Sequence, residues 1–114
     1  MRIVEERISD VLVEIVNLNR ATLSEANNLM VLIQRGINDG YVKIIVDIST
    51  CEYIDSSFLG VLVAALKKVA NRGGDVKLVG FKPAVQSMFE LTRMFRVFET
   101  FSDLQKALKS FSNK

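Results

Sequence analysis

The sequence contains no histidine and only one cysteine, Cys51, among its 114 residues. The lack of histidine excludes Ser-His-Asp and Cys-His nucleophile systems, imidazole proton shuttles and His-containing metal sites. A single thiol forms no intramolecular disulfide and is too little for a structural zinc site. Enzymes that rely on carboxylates or lysine stay compatible with this composition.

Long apolar runs are absent as well. A membrane-spanning helix needs roughly 20 consecutive apolar residues, and no run in the chain comes close to that length. The N-terminal segment MRIVEERISD mixes acids and bases where a secretory signal needs an apolar stretch. We therefore expect a cytoplasmic protein without membrane contact. The length and the apolar content of 49% predict a single domain over residues 1–114.

The charge balance argues against nucleic-acid binding, because the formal net charge is only +2. Residues 1–60 carry 5 basic and 9 acidic groups, whereas residues 61–114 carry 10 and 4. The basic residues of the second half are dispersed and form no run that could follow a phosphate backbone. We expect no direct contact with nucleic acid.

Apolar periodicity predicts the elements of the first half of the chain. Residues 2–7 and 11–16 alternate apolar and polar side chains around a short polar turn, which is typical of a β-hairpin. In the segment TLSEANNLMVLIQRGI, Thr22 and Glu25 form a capping-box signature ahead of apolar residues at helical spacing. This signature predicts a helix directly after Thr22.

The second half alternates strands and helices. The segments YVKIIVDI and VKLVG are short and largely apolar, as expected of strands. Between them we predict a helix from near Ser56 to about Ala70, which the glycines of NRGGD would stop. Pro83 suits the first turn of a further helix, and Ser102-Asp103 can cap a last one. The segment FRVFETF is ambiguous.

This order predicts an α/β fold. We expect a mixed sheet of four to five strands that opens with the hairpin, right-handed crossovers, and about four helices packed mainly on one face. In such folds, function concentrates where strands end and helices begin. The stretch Asp55-Ser56-Ser57 lies at such a place, directly before the uncharged run from Phe58 to Leu66.

The Asp55-Ser56-Ser57 stretch has two compatible interpretations. As a cap, Asp55 would accept a hydrogen bond from the first helical turn, which contributes on the order of 1 kcal/mol. As a switch, a phosphoserine here would be tolerated within the molecule, because a helix N-terminus is a ready anion site. The dianion would instead repel a partner at the rim of an apolar patch, so that the complex dissociates while the fold persists.

The helix that follows would present two faces. One is an apolar stripe that belongs to the core and consists of Leu59, Leu62, Leu66 and Val69. The other is small and shallow and consists of Ser57, Gly60, Val61, Ala64 and Lys68. This second face suits either a partner protein or the close approach of another helix of the same chain.

The stretch from Asp55 to Gly60, which reads DSSFLG, resembles the hallmark of the anti-sigma factor antagonist family, also called the STAS domain. In that family, Asp-Ser-Ser or Asp-Ser-Ala and then Gly-Leu-Gly begin the second helix. The segments VEIVNLNRATLSE, VKIIVDISTCEYID and RGGDVKLVGFKPAVQSMFELTRMFRVFETFSDLQKAL are similar to the corresponding parts of the family. The likeness covers nearly the whole chain, and the Asp-Ser-Ser block is its specific part.

The resemblance implies a protein without catalytic residues, metal or cofactor that works by exchanging partners. In the family, the unmodified antagonist binds an anti-sigma factor that is also a serine kinase, so that a sigma factor is released to RNA polymerase. The kinase then phosphorylates the antagonist with ATP and the complex dissociates, and a PP2C-type phosphatase resets the antagonist. Other members serve in stress signalling, transporters or lipid trafficking, so an unphosphorylated interaction or scaffold module is the alternative.

Carried onto this sequence, the resemblance assigns phosphorylation to Ser57 and the acid beside it to Asp55. Asn19 stands where many members have an aspartate in a region associated with kinase or nucleotide contact. The expected partner-binding residues are Asn19, Asp55, Ser56, Ser57, Phe58, Gly60, Val61 and Ala64. The expected partners are an anti-sigma factor kinase and a PP2C-type phosphatase, and the chain itself is expected to be a monomer or a weak dimer.

Three residues depart from the family pattern. Phe58 replaces the small residue that usually follows the acceptor serine, where an aromatic side chain would either obstruct a kinase active site or anchor a different partner. Asn19 lacks the common negative charge, and Val16 occupies the place of a frequent glycine. These departures concern the switch and not the fold.

Two other functional classes fit the residues less well. A response-regulator phosphoacceptor at Asp47 would need further carboxylates at another strand end, and the hairpin offers no paired acids there. A phosphate-loop nucleotide binder needs glycines after a strand and before a helix, whereas Gly73-Gly74 precede a strand. Weak nucleotide binding near Ser57 stays open.

Two further features are expected to be structural. The C-terminal segment is rich in residue types that are usually buried, although a partner or dimer patch is the alternative; these residues are Met88, Phe89, Met94, Phe95, Phe98 and Phe101. Cys51 is expected to be a small buried side chain and not a redox sensor, because no second thiol is present to resolve it.

Overall fold

The predicted alternation of strands and helices is present in a computed structural model, which describes residues 2–112. The elements in chain order are β1 (Ile3–Ile8), β2 (Val11–Val16), β3 (Arg20–Ala21), α1 (Leu23–Asn38), β4 (Lys43–Asp47), β5 (Tyr53–Ile54), α2 (Ser56–Ala70), β6 (Asp75–Val79), α3 (Pro83–Leu91), a 3-10 turn (Met94–Arg96), β7 (Glu99–Phe101) and α4 (Leu104–Ser112). The predicted opening hairpin, the helix after Thr22 and the helix from Ser56 to Ala70 are confirmed.

Five strands form one mixed sheet in the order β1-β2-β4-β6-β7. β1 and β2 are antiparallel, while the pairs β2-β4, β4-β6 and β6-β7 are parallel. The two short strands β3 and β5 pair with each other in a separate parallel ribbon, with Ala21 opposite Ile54. The carboxyl ends of β2, β4 and β6 therefore meet at one edge of the sheet, and the ribbon lies on the chain segments that leave this edge.

The helices cover both faces of the sheet. The larger core lies between one face and the helices α1, α2 and α3, and it contains Leu12, Ile44 and Leu78 from the sheet. α4 packs on the opposite face, where Ala107 contacts a smaller cluster with Val13 and Ile45. The fold is therefore the predicted α/β arrangement, with three helices on one face and α4 on the other.

A buried lysine fastens α4 to the sheet. Lys77 of β6 is only 6% exposed, and its ammonium nitrogen donates to Ser110 Oγ at 2.7 Å and pairs with Glu99 Oε1 at 3.1 Å. The same nitrogen lies 4.1 Å from the centre of the Phe111 ring. Because a buried ammonium group is stable only when its charge is compensated, these contacts tie α4 to β6 and β7.

The aromatic C-terminal segment contributes to the core, as predicted. Phe89 and Phe98 are buried, and Phe95 packs against them at the edge of the larger core. The ambiguous segment FRVFETF contains the end of the 3-10 turn and the strand β7. Arg93, which precedes the turn, has a left-handed backbone with φ of 60°. The chain therefore turns sharply between α3 and β7.

Candidate functional site

The N-terminus of α2 is fixed by the side chain of Asp55. The backbone of Asp55 is extended, and its Oδ1 atom accepts a hydrogen bond from the N–H of Phe58 at 2.9 Å. The predicted cap is therefore present. The N–H groups of Ser56 and Ser57 lie in the first turn, where an α-helix offers no carbonyl acceptors of its own. Their direction favours an anion at this end of the helix.

Backbone hydrogen bonds bring Asn19 to the same place. The carbonyl of Asn19 accepts hydrogen bonds from the N–H groups of Glu52 at 2.8 Å and Tyr53 at 3.0 Å. Two residues further on, the carbonyl of Ala21 accepts a hydrogen bond from the N–H of Asp55 at 3.2 Å. The segment after β2 therefore lies directly beside the loop that leads into α2, with the Asn19 side chain exposed.

The loop between β4 and β5 is held from three sides. Asp47 Oδ1 accepts hydrogen bonds from both the N–H and the hydroxyl of Ser49, at 2.9 and 2.7 Å. The hydroxyl of Thr50 donates to the carbonyl of Val16 at 3.0 Å. Gly80, with φ of 78°, lies so close to Ser49 that an added Cβ would be 2.3 Å from the Ser49 Cβ atom. This packing fixes the path of the chain toward α2.

Cys51 is part of this rigid loop. Its side chain has no exposed surface, and its sulfur lies 3.7 Å from the carbonyl of Val16. Burial raises the pKa of the Cys51 thiol to about 11, and the nearby carboxylate of Asp47 adds to this effect. The thiol is therefore protonated at neutral pH and shielded, which confirms the prediction of a small buried side chain.

The two predicted faces of α2 are present, although Leu66 of the predicted core stripe is only half-buried. The buried residues of this helix are Phe58, Leu59, Leu62, Ala65 and Val69. On the other side, Gly60 and Lys68 are exposed, while Ser57, Val61 and Ala64 are half-buried. These five residues form what we call the small face of α2. From Ser57 to Ala64 it is about 10 Å long at the rise of an α-helix.

The placement of Phe58 corrects one expectation. The sequence comparison with the family placed Phe58 among the partner-binding residues, where it would obstruct a kinase or anchor a partner. In the structure, Phe58 is fully buried with an exposed fraction of 0% and belongs to the larger core. The large apolar side chain turns away from solvent because burial of its ring is strongly favourable. Phe58 therefore presents no surface to a partner.

Gly60 is not explained by packing against the described part of the chain. A Cβ atom added to Gly60 would meet no atom of residues 2–112 within 4 Å. Gly36 of α1 differs, because a Cβ atom there would lie 2.4 Å from Leu12 Cδ2, so the packing of α1 on the sheet explains this glycine. The position of the Gly60 side chain is therefore not filled by any described part of the chain.

The sequence pattern did not predict two exposed residues that lie beside the site. Arg20 and Tyr53 lie opposite each other in the β3-β5 ribbon, and the Arg20 guanidinium carbon is 4.4 Å from the centre of the Tyr53 ring. Both belong to strands of two residues, which are too short for periodicity to reveal their exposed side. They extend the site from Asn19 along the ribbon.

The described residues offer little support for the other classes considered. No group of three or more acidic, cysteine or histidine side chains among residues 2–112 could hold a metal ion. Asp47, the candidate response-regulator residue, is half-buried and engaged by Ser49. None of the helices within this range is long and apolar enough to cross a membrane.

Comparisons with known proteins agree with this geometry. The family model described as STAS domain matches residues 5–107. A Thermotoga maritima protein named "Putative anti-sigma factor antagonist" is 33% identical over 78 residues, which cover 68% of this chain and 69% of that protein.

Solved structures show the same fold. A crystal structure described in the same terms, also from Thermotoga maritima, has a TM-score of 0.86 at 26% identity and covers 97% of this chain and 95% of its own. The anti-sigma factor antagonist SpoIIAA in its unphosphorylated form has a TM-score of 0.80 at 15% identity, over 98% of this chain and 99% of that one. SpoIIAA of Bacillus in its phosphorylated form has a TM-score of 0.76 at 14% identity, over 96% and 98%. Because the family model matches most of the sequence and the fold agrees, this chain belongs to the STAS domain family.

Proposed function

We propose that this protein is an anti-sigma factor antagonist that binds a serine kinase of the anti-sigma type through the N-terminus and the small face of α2. The bound kinase releases its sigma factor, and phosphorylation of Ser57 then ends the complex. The contact residues would be Asn19, Asp55, Ser56, Ser57, Gly60, Val61 and Ala64. The protein would act in the cytoplasm as a monomer or weak dimer, without catalysis, a cofactor, nucleic acid or a membrane.

The observation that carries this proposal is Gly60. A glycine in the interior of a helix costs about 1 kcal/mol relative to alanine. The packing of the described residues does not require glycine here, because no described atom lies within 4 Å of the position of its Cβ. A partner that approaches the helix backbone closely would account for a glycine at this exposed position. The half-buried Val61 and Ala64 beside it would supply the apolar contact.

The position of Ser57 suits a switch that acts on the complex and not on the fold. A phosphate on Ser57 would lie at the N-terminus of α2, where the helix dipole and free N–H groups favour negative charge. It would also lie beside the carboxylate of Asp55 and at the rim of Val61 and Ala64. Burying a dianion there against a partner brings repulsion and a desolvation cost of several kcal/mol.

The burial of Phe58 supports phosphorylation at the neighbouring serine. An aromatic ring that pointed outward would fill the space that a kinase needs around Ser57. Because the ring lies in the core, it does not occupy the surface beside Ser57. SpoIIAA, which shares the fold, is described in both phosphorylated and unphosphorylated forms. This precedent supports the proposal.

The test is a phosphorylation assay with matched serine variants. The protein, the anti-sigma factor kinase of its own cell and ATP would be mixed, and the site would be mapped by mass spectrometry. We expect one phosphate on Ser57, none in Ser57→Ala, and full modification of Ser56→Ala. Unmodified protein should co-elute with the kinase, and phosphorylated protein should elute alone. A PP2C-type phosphatase should restore the complex.

One observation favours the alternative of an unphosphorylated interaction or scaffold module in another bacterial pathway. Asn19 lies beside the α2 N-terminus without a negative charge, so one acidic contact expected for kinase or nucleotide is missing. Intact mass of the protein from its native cells separates the two functions. A chain that stays unmodified under every growth condition, bound to a protein other than a kinase, would refute the switch.

A further inference from the structure

A buried acid lies in the middle of the sheet. Glu14 of β2 has an exposed fraction of 0%. Its neighbours on the same side of the strand, Leu12 and Val16, belong to the larger core, so the Glu14 side chain faces this core as well. A carboxylate is among the groups least often fully buried without a partner, because loss of its hydration is costly.

The second carboxyl group of the cluster belongs to the neighbouring strand. Glu5 of β1 stands directly opposite Glu14 in the antiparallel register. Three buried oxygens of this pair have no hydrogen-bond partner: both carboxyl oxygens of Glu14 and Oε1 of Glu5. The remaining oxygen of Glu5, Oε2, accepts a hydrogen bond from Arg7 Nε at 3.1 Å. Carboxylates only accept hydrogen bonds, so two ionised groups cannot satisfy each other.

We infer that Glu14 is a neutral carboxylic acid at physiological pH and donates its proton to Glu5 Oε1, so that the two side chains share one proton across the β1-β2 hairpin. The proton joins one Glu14 oxygen to Glu5 Oε1 in a hydrogen bond, and the other Glu14 oxygen becomes the uncharged carbonyl of the acid. It also removes the repulsion between two adjacent negative charges. Burial raises the pKa of the Glu14 carboxyl to about 9, and the neighbouring Glu5 adds to this effect.

The other groups around Glu14 are consistent with this assignment. Among the described residues, Arg7 lowers the pKa of Glu14, but the effects of burial and of Glu5 are larger. Arg7 also pairs with Glu5 and with Asp39, whose Oδ2 lies 2.9 Å from Arg7 Nη2. The strand on the other side, β4, presents the apolar residues Ile44 and Val46 to this core. The charged residues of α1, Glu25 and Arg35, lie along an outer groove with Arg2, and Asp39 follows the helix as its C-cap.

The shared proton makes the hairpin sensitive to alkaline pH. Glu14, Glu5, Arg7 and Asp39 form a chain of contacts that joins the sheet to the C-terminal end of α1. Loss of the proton would place two buried carboxylates opposite each other and weaken the pairing of the edge strand β1. The proton is therefore part of the folded hairpin.

Infrared and NMR spectroscopy of the whole protein test this inference. At pH 7 the infrared spectrum should show the carbonyl stretch of a protonated carboxylic acid. The band should disappear in Glu14→Gln, an isosteric change whose amide can still donate to Glu5. It should persist in the control Glu6→Gln, which removes an exposed acid from the same hairpin.

Carboxyl-carbon NMR gives a second readout that needs no variant. In protein labelled at its glutamate side chains, one of the seven glutamates should titrate above neutral pH. If the folded wild-type protein shows no protonated acid at pH 7, or if all seven glutamates titrate below pH 6, the inference is wrong.

Discussion

Replacement of Phe58 by alanine measures how strongly the start of α2 depends on the core. Phe58 has no exposed surface, so Phe58→Ala removes a whole buried ring and leaves a cavity. Such changes destabilise proteins by about 3–5 kcal/mol. A domain of this length has a total stability of roughly 6–17 kcal/mol, at 0.05–0.15 kcal/mol per residue. The variant should therefore fold but lose a large share of its stability.

Urea unfolding followed by circular dichroism gives the required number. With a slope of about 2 kcal/mol per M, a loss of about 4 kcal/mol lowers the midpoint by about 2 M. Val61→Ala is the matched control on the same helix, because Val61 is half-buried, and it should cost less than about 1.5 kcal/mol. A loss below about 1 kcal/mol for Phe58→Ala would refute the assignment of the ring to the core. Phe58 would then be assigned to the partner-binding surface.

Three further predictions follow from particular atoms. Gly60→Ala should raise the free energy of unfolding by about 0.5–1 kcal/mol in urea titration and weaken kinase binding. Gly36→Ala should lower stability, because its Cβ would meet Leu12. A gain in both stability and binding for Gly60→Ala would contradict the proposed surface. The Cys51 thiol should react with a thiol reagent only upon unfolding, and rapid labelling of the native protein would contradict its burial. The folded state keeps the Glu14 proton up to about pH 9, whereas the unfolded chain releases it near pH 4.5. Between these two pH values, the contribution of Glu14 to the free energy of unfolding should fall by up to about 1.4 kcal/mol per pH unit. Urea titrations over this range should show the fall in the wild-type protein but not in Glu14→Gln.

The start of α2 shows why its bounds were predictable and the direction of Phe58 was not. Asp55 provides a local cap, and the glycines after Ala70 end the helix, so both signals lie within a few residues of the bounds. The run from Phe58 to Leu66 contains no charge that would mark its exposed side. The predicted core stripe lacked Phe58 and Ala65, both of which are buried in the structure. Only tertiary packing decides how far such a helix is rotated.

The burial of Glu14 was not predictable from the alternation of apolar and polar residues. Alternation over residues 11–16 correctly predicted a strand, but alternation alone describes a strand with one solvated face. β2 instead lies inside the sheet between β1 and β4, with helices on both faces. An acid in this strand is therefore buried whichever side it points to. The segment FRVFETF, which contains β7, was ambiguous for a related reason, because the three residues of β7 become a strand only through pairing with β6.

The sheet divides the molecule into two surfaces that can be observed separately. α2 with its small face lies on one side, and α4 lies on the other side. Because the natural thiol is shielded, a cysteine introduced at an exposed position would be the single reactive site for a fluorescent dye. A dye at Gln105→Cys of α4 would report global unfolding and stay silent during partner binding, whereas a dye at Lys68→Cys of α2 would respond to the partner. The architecture thus permits folding and recognition to be followed in one chain by two independent reporters.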